Sequence, residues 1–140
     1  MYLYLVRHGE SVGNVKKLFF GQWDCPLTEL GRQQAWTVAE KLRAVEFECC
    51  FASDLQRAWE TAEICLTGRL IMPELCPALR EQDLGSLECK TWDEAQALYS
   101  TYLDGYLNNW YHSSVPTVEC PKDMKRRIAA CVVRRHRPSA

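Results

Sequence analysis

An unbroken apolar run, Tyr2-Leu3-Tyr4-Leu5-Val6, passes directly into Arg7-His8-Gly9-Glu10. Apolar runs of this length without alternation suit a strand buried on both faces, as in a parallel sheet covered by helices. The polar group then falls at the carboxyl end of the strand, where open α/β sheets bind their ligands. The rest of the chain keeps to that plan. Thr28 is placed to cap a helix over 29–44, and 47–52 reads as a second short strand. Ser53 with Gln56 has capping-box form and opens a helix to about Thr67. A weaker third strand follows at 71–75. Thr91 with Glu94 is a further capping box, and behind it Ala95, Leu98, Tyr99, Tyr102, Leu103, Tyr106, Leu107 and Trp110 repeat at threes and fours. That stripe is expected to pack against the sheet. A basic helix begins near Lys122. Strands alternating with helices in this order predict an α/β fold, three layers deep, with a mostly parallel sheet.

Length and charge narrow the function classes. The 140 residues suit one domain, and 47% apolar with 25% charged residues is globular composition. No run approaches the ~20 apolar residues of a membrane span, and the amino terminus lacks the basic lead of a secretory signal. A cytoplasmic protein is expected, with no membrane partner. The net charge of −1 conceals an asymmetry. Residues 122–137 hold seven Lys/Arg against one Asp, a net +6 that leaves −7 on residues 1–121. The basic segment 122–140 is read as a solvated helix face and tail, so no nucleic-acid partner is expected. Eight cysteines, at 25, 49, 50, 65, 76, 89, 120 and 131, form no Cys-x-x-Cys pair and are expected to be thiols outside any metal set.

Three polar clusters follow the three expected strands: Arg7-His8, Ser53 with Arg57, and Arg80-Glu81. Around one crevice, two arginines, a histidine and a glutamate suit a dianionic ester. Guanidinium forks bind phosphate oxygens in pairs, a neutral imidazole can attack phosphorus, and a carboxylic acid can protonate a leaving oxygen. The residues taken singly leave another reading open, with a structural histidine and an arginine in surface ion pairs.

Arg7-His8-Gly9-Glu10-Ser11 with Asn14 resembles the signature of the histidine phosphatase superfamily, the phosphoglycerate mutase-like fold. The likeness continues in order through Gly21, Asp24-x-Pro26-Leu27-Thr28-x-x-Gly31, Ser53-Asp54-Leu55-x-Arg57-Ala58 and Leu79-Arg80-Glu81-x-Asp83-Leu84-Gly85. The four blocks cover residues 1–88, with a fainter continuation through Glu119 and Arg127. The resemblance implies a phosphomonoester hydrolase working through a phosphohistidine on His8. It implies that Glu81 is general acid and base, and that Arg7, Asn14 and Arg57, with Gln22 from the flanking loop, bind the phosphoryl group. No metal or cofactor is implied, and the partner is a small phosphate ester; the oligomeric state stays open. A phosphoglycerate mutase and a non-catalytic phosphate-binding fragment are the alternatives, and within the hydrolases an α-ribazole phosphatase is one candidate.

Two local departures stand out: Leu87-Glu88-Cys89 replaces a usual Trp-Glu-Gly, and Val118-Glu119-Cys120 a usual Gly-Glu-Ser. The larger one is at the carboxyl end. The family's second catalytic histidine lies in a Ser-His-Gly-like turn well beyond the helix that holds Arg127. His136 is too close to Arg127, and no glycine follows it. The resemblance therefore reads as a single domain over 1–140 that lacks its C-terminal part, with turnover expected to be impaired.

Overall fold

The computed structural model describes residues 2–135, with side chains through 132. In chain order the elements are α1 (Val12–Val15), α2 (Glu29–Lys41), β1 (Cys50–Ala52), α3 (Gln56–Cys65), β2 (Pro73–Leu75), α4 (Trp92–Asn108) and α5 (Pro121–Arg135). Single 3-10 turns lie at Pro77–Leu79 and Gly85–Leu87. β1 and β2 are parallel, with Phe51 opposite Glu74. α3 packs on both strands and on α2, and α5 packs on the Pro77–Leu79 turn. The fold class is α/β with a parallel sheet, as the alternation of elements predicts.

Local chemistry explains most boundaries. The Thr28 hydroxyl accepts from the Gly31 N–H at 3.0 Å and starts α2. At α4 the predicted capping box forms: Glu94 N–H donates to the Thr91 hydroxyl at 3.3 Å, and Thr91 N–H to the Glu94 carboxylate at 2.8 Å. The box predicted at Ser53 does not form. Ser53 Oγ accepts from Leu55 N–H at 3.3 Å within a turn, and α3 begins later, at Gln56. There Asp24, from the loop before α2, accepts the Gln56 N–H at 2.7 Å. A carboxylate from a distant loop thus takes the place of the local hydroxyl.

Two further expectations are corrected. Residues 2–6 belong to no strand; Leu3 is 68% and Leu5 87% exposed. Among the described residues no backbone hydrogen bond ties this run to a neighbour, and its visible packing is Tyr4 edge-on to Phe47. An apolar run becomes a buried strand only where another strand lies alongside it. The α4 stripe, for its part, packs on loops and not on the sheet. Ala95 and Leu103 bury fully with Leu87 and Val115, flanked by Phe19, Leu84, Tyr99, Tyr106 and Val118. The helix bends at Tyr99, where φ is −140° and ψ 33°. Leu98, Tyr102 and Leu107 remain exposed. Among the described residues, no helix is long and apolar enough to cross a membrane.

Candidate active site

The segment after Arg7 is fixed from three sides. Glu10 carbonyl accepts the Thr28 N–H at 2.9 Å, Glu10 N–H donates to the Gln34 side chain at 2.8 Å, and Ser11 bridges antiparallel to Leu27. Gly9 N–H donates to the Thr61 hydroxyl on α3 at 3.2 Å, and that hydroxyl in turn donates to the Arg57 carbonyl at 2.7 Å. Gly9 sits so close to α2 that a Cβ there would lie 2.2 Å from the Gly31 carbonyl oxygen, while a Cβ at Gly31 would lie 2.0 Å from that of Glu10. Only two glycines allow that approach.

The turn this creates aims His8 into a cavity of about 250 Å³ lined by Arg7, His8, Asn14, Phe20, Arg57, Glu81, Gln82, Leu84 and Tyr106. Five of the six residues singled out in the sequence meet there. His8 Nδ1 lies 2.7 Å from the Gly9 carbonyl oxygen. A carbonyl only accepts, so Nδ1 carries the proton and the Nε2 lone pair is left without a partner among the described residues. Burial lowers the His8 pKa below its ordinary value, and the Arg57 and Arg7 charges push the same way. The bond to Gly9 and the Glu81 charge oppose this without reversing it. The ring is held neutral near pH 7.

Arg57, 2% exposed at the start of α3, donates from Nη1 to the Trp23 carbonyl at 3.0 Å and from Nη2 to the Gly21 carbonyl, and its guanidinium lies over the Phe20 ring at 4.9 Å. These two bonds leave three of its five N–H donors for a ligand. The Asn14 side-chain oxygen accepts from the Ser11 N–H and hydroxyl, each at 2.9 Å, so its amide donors are left for the cavity. The Glu81 Oε1 accepts its neighbour's Gln82 N–H at 2.9 Å. Gln22 stands apart. It does not line the cavity, and its side-chain amide donates to the Glu81 carbonyl at 3.2 Å. Arg80 also lies outside, paired twice with Asp54 at 2.7 and 2.5 Å; that pairing draws the Asp54 carboxyl below its ordinary pKa. His136 lies outside the described residues.

Three contributions escape a reading of the sequence. Tyr106 supplies a wall of the cavity, and its hydroxyl donates to Gln82 at 3.0 Å; burial raises its pKa. Gln82 is itself buried and accepts as well from the Trp110 indole at 3.3 Å. Glu88 is the residue that Leu87-Glu88-Cys89 shares with the usual Trp-Glu-Gly. Its carboxylate accepts from the backbone N–H groups of Gly21, Gln22, Trp23 and Leu84 at 2.7–3.2 Å. It ties the loop that Arg57 grips to the segment that follows Glu81.

A larger open cleft of about 530 Å³, lined by Trp110, Met124, Lys125, Ile128 and Val132 among others, is mostly apolar and has no histidine or carboxyl group in its lining. The 250 Å³ cavity, by contrast, joins a neutral imidazole, two guanidiniums, an amide donor and a carboxyl group on an α/β scaffold. Groups of these kinds can bind the oxygens of a phosphoryl group and attack its phosphorus. The chain belongs to the histidine phosphatase superfamily (branch 1), whose model matches residues 3–137. It is 34% identical over 126 residues to a probable phosphoglycerate mutase, GpmB, of Erwinia tasmaniensis, covering 90% of this chain and 59% of that protein. It is 32% identical over 117 residues to the adenosylcobalamin/alpha-ribazole phosphatase of Escherichia coli, covering 84% and 57%. Among solved structures, Bacillus stearothermophilus YhfR superposes with a TM-score of 0.86 at 37% identity, covering 93% of this chain and 66% of that one. The chain spans about three-fifths of the length of the curated relatives it matches.

Proposed function

We propose that this cavity is the active site of a phosphomonoester hydrolase that works through a phosphohistidine on His8. The observation that carries the reading is the His8 ring: Nδ1 is committed to the Gly9 carbonyl, and the Nε2 lone pair has no partner among the described residues in a cavity shared with two arginines and a carboxyl group. His8 Nε2 attacks phosphorus and forms the N–P bond as the ester P–O bond breaks. Glu81 gives its proton to the departing alkoxide or phenolate oxygen. Arg7, Arg57 and Asn14 hold the three equatorial oxygens as charge spreads over them. Glu81, now a carboxylate, takes a proton from water, the oxygen attacks phosphorus and the P–N bond breaks. The products are the alcohol and inorganic phosphate, and the enzyme returns to its starting state. Gly9 supplies the close turn and Glu88 holds the Arg57 loop.

A mutase reading has support in the names of several relatives, which are called probable phosphoglycerate mutases. Hydrolysis is favoured here because, among the described residues, Arg7 and Arg57 are the cations that line the cavity, and this reading assigns both to the phosphoryl group. Release of phosphate from p-nitrophenyl phosphate, abolished in His8→Ala, is the expected result. Acid-labile, base-stable labelling of His8 by a phosphorylated substrate would accompany it. Equal background release by wild type and His8→Ala would sink the enzyme reading and leave a phosphate-binding fragment. Primer-dependent interconversion of 3- and 2-phosphoglycerate would promote the mutase.

A further inference from the structure

Arg127, on α5, is far in sequence from every group that faces the cavity, yet three of its five N–H donors are directed at the segment that carries Glu81 and the other two at Glu119, which bonds to that segment. Its Nε and Nη2 fork onto the Glu119 carboxylate at 2.6 and 2.7 Å. Its Nη1 donates to the carbonyls of Ala78 and Arg80 at 2.9 and 2.7 Å, and Nη2 also donates to the Glu81 carbonyl at 2.9 Å. Glu119 closes the other side: its N–H donates to the Asp83 carbonyl at 2.7 Å, and its carboxylate accepts the Asp83 N–H at 3.1 Å. Its carbonyl accepts the Gln82 side-chain amide at 2.7 Å. Backbone from 78 to 83 is thereby gripped on both sides of Glu81, while Arg127 itself does not line the cavity.

The segment needs such a grip. It is a loop between a 3-10 turn at Pro77–Leu79 and another at Gly85–Leu87, and no sheet ladder fixes it. A carboxyl that must deliver a proton to one oxygen loses effectiveness when its backbone wanders by an ångström. A guanidinium fork on a carboxylate, with three carbonyls on its remaining donors, is a rigid planar template that lysine cannot reproduce.

We propose that Arg127, oriented by Glu119, is a positioning residue for Glu81, fixing the 78–83 loop so that the carboxyl meets the leaving oxygen. The proposal rests on the hydrolase reading above. General acid assistance matters most for poor leaving groups, which separates positioning from a general loss of structure. Arg127→Met is expected to lower kcat/KM about 10²-fold on an alkyl phosphate such as glycerol 2-phosphate and less than about tenfold on p-nitrophenyl phosphate. Glu81→Gln shows the same contrast, and adding Arg127→Met to it causes little further loss. Arg127→Lys, which keeps the charge without the fork, folds and shows an intermediate contrast. Amide exchange at Gln82 and Asp83 quickens in both Arg127 variants while α2 and α3 stay protected. An Arg32→Met control, which breaks the 2.6 Å pair to Glu60 away from this loop, affects both substrates alike.

Equal losses on the two substrates, or unchanged exchange at Gln82 and Asp83, would overturn the proposal. Failure of the hydrolase reading would show itself separately, as wild type matching His8→Ala on both substrates. That result removes the acid role of Glu81 and the proposal with it.

Discussion

Two neighbouring stretches, residues 2–6 and residues 8–14, are treated in opposite ways by the fold. The first is apolar and carries the stronger intrinsic claim to burial, yet Tyr2, Leu3 and Leu5 are mostly exposed. The second is polar and glycine-containing, yet Gly9, Ser11 and Gly13 are buried, and the stretch is bonded to α2 through Glu10, to α3 through Gly9 and to the 26–28 segment through Glu10 and Val12. The site therefore does not hang from the sheet. It is built on loop-to-helix bonds, glycine contacts and three ion-bonded fasteners, Arg57, Glu88 and Arg127. These lie within residues 8–127, and none involves 2–6.

The sharpest way to break that contrast is to remove a fastener. Arg57→Met deletes a guanidinium that lines the cavity and grips the Gly21 and Trp23 carbonyls. Loss of one such stabilising group at a phosphoryl site is expected to lower kcat/KM about 10²–10³-fold, read on p-nitrophenyl phosphate. A loss below about fivefold would mean that Arg57 serves the loop and not the phosphoryl group.

Glu88→Ala comes next in size. Four backbone N–H groups lose a charged acceptor at once, and each bond to a charged group is worth roughly 1.5–3 kcal/mol when its partner is left without replacement. Water reaches part of this site, so the expected net loss is about 2–3 kcal/mol. It would be read as a lower urea midpoint at unchanged m-value. A midpoint equal to wild type would show that the loop is held without the carboxylate.

The parts of this arrangement that could be read in the sequence share one property. Arg7, His8, Arg57 and Glu81 follow expected strands, and together with Asn14 they stand in short motifs that resemble those of the histidine phosphatase superfamily. Thr28 and Thr91 are legible for the same reason, since a cap needs only its own next three residues. What could not be read is fixed across long separations. Asp24 reaches Gln56, Glu88 reaches Gly21, and Arg127 reaches Ala78, and no local pattern announces any of the three. The apolar run at 2–6 shows the opposite failure: its local signal is strong, but strand formation depends on a neighbour that propensity does not supply.

A smaller effect tests the electrostatics of the packed stretch. Burial lowers the His8 pKa in the folded protein, so between about pH 6.5 and that lower value the unfolded chain binds the extra proton more readily. Wild type should lose stability relative to His8→Asn as pH falls through that window, and the gap should be flat above pH 7. A gap that grows in favour of wild type on acidification would mean that the fold stabilises the imidazolium, and the neutral nucleophile would be untenable.

The smallest effect is expected in the other stretch. Leu5 is 87% exposed, so Leu5→Lys removes almost no buried area and should change stability by no more than about 0.5 kcal/mol. The same substitution should reduce self-association, because an apolar run with no backbone bond to a neighbour among the described residues is a template for pairing with another chain, and a lysine there blocks it. Sedimentation of both proteins across a concentration series reads the second effect, and urea melts at one dilute concentration read the first. If Leu5→Lys instead costs more than about 2 kcal/mol at dilution, residues 2–6 are buried in the monomer. Their burial would then join the fasteners in holding His8, and the division between the two stretches would fall.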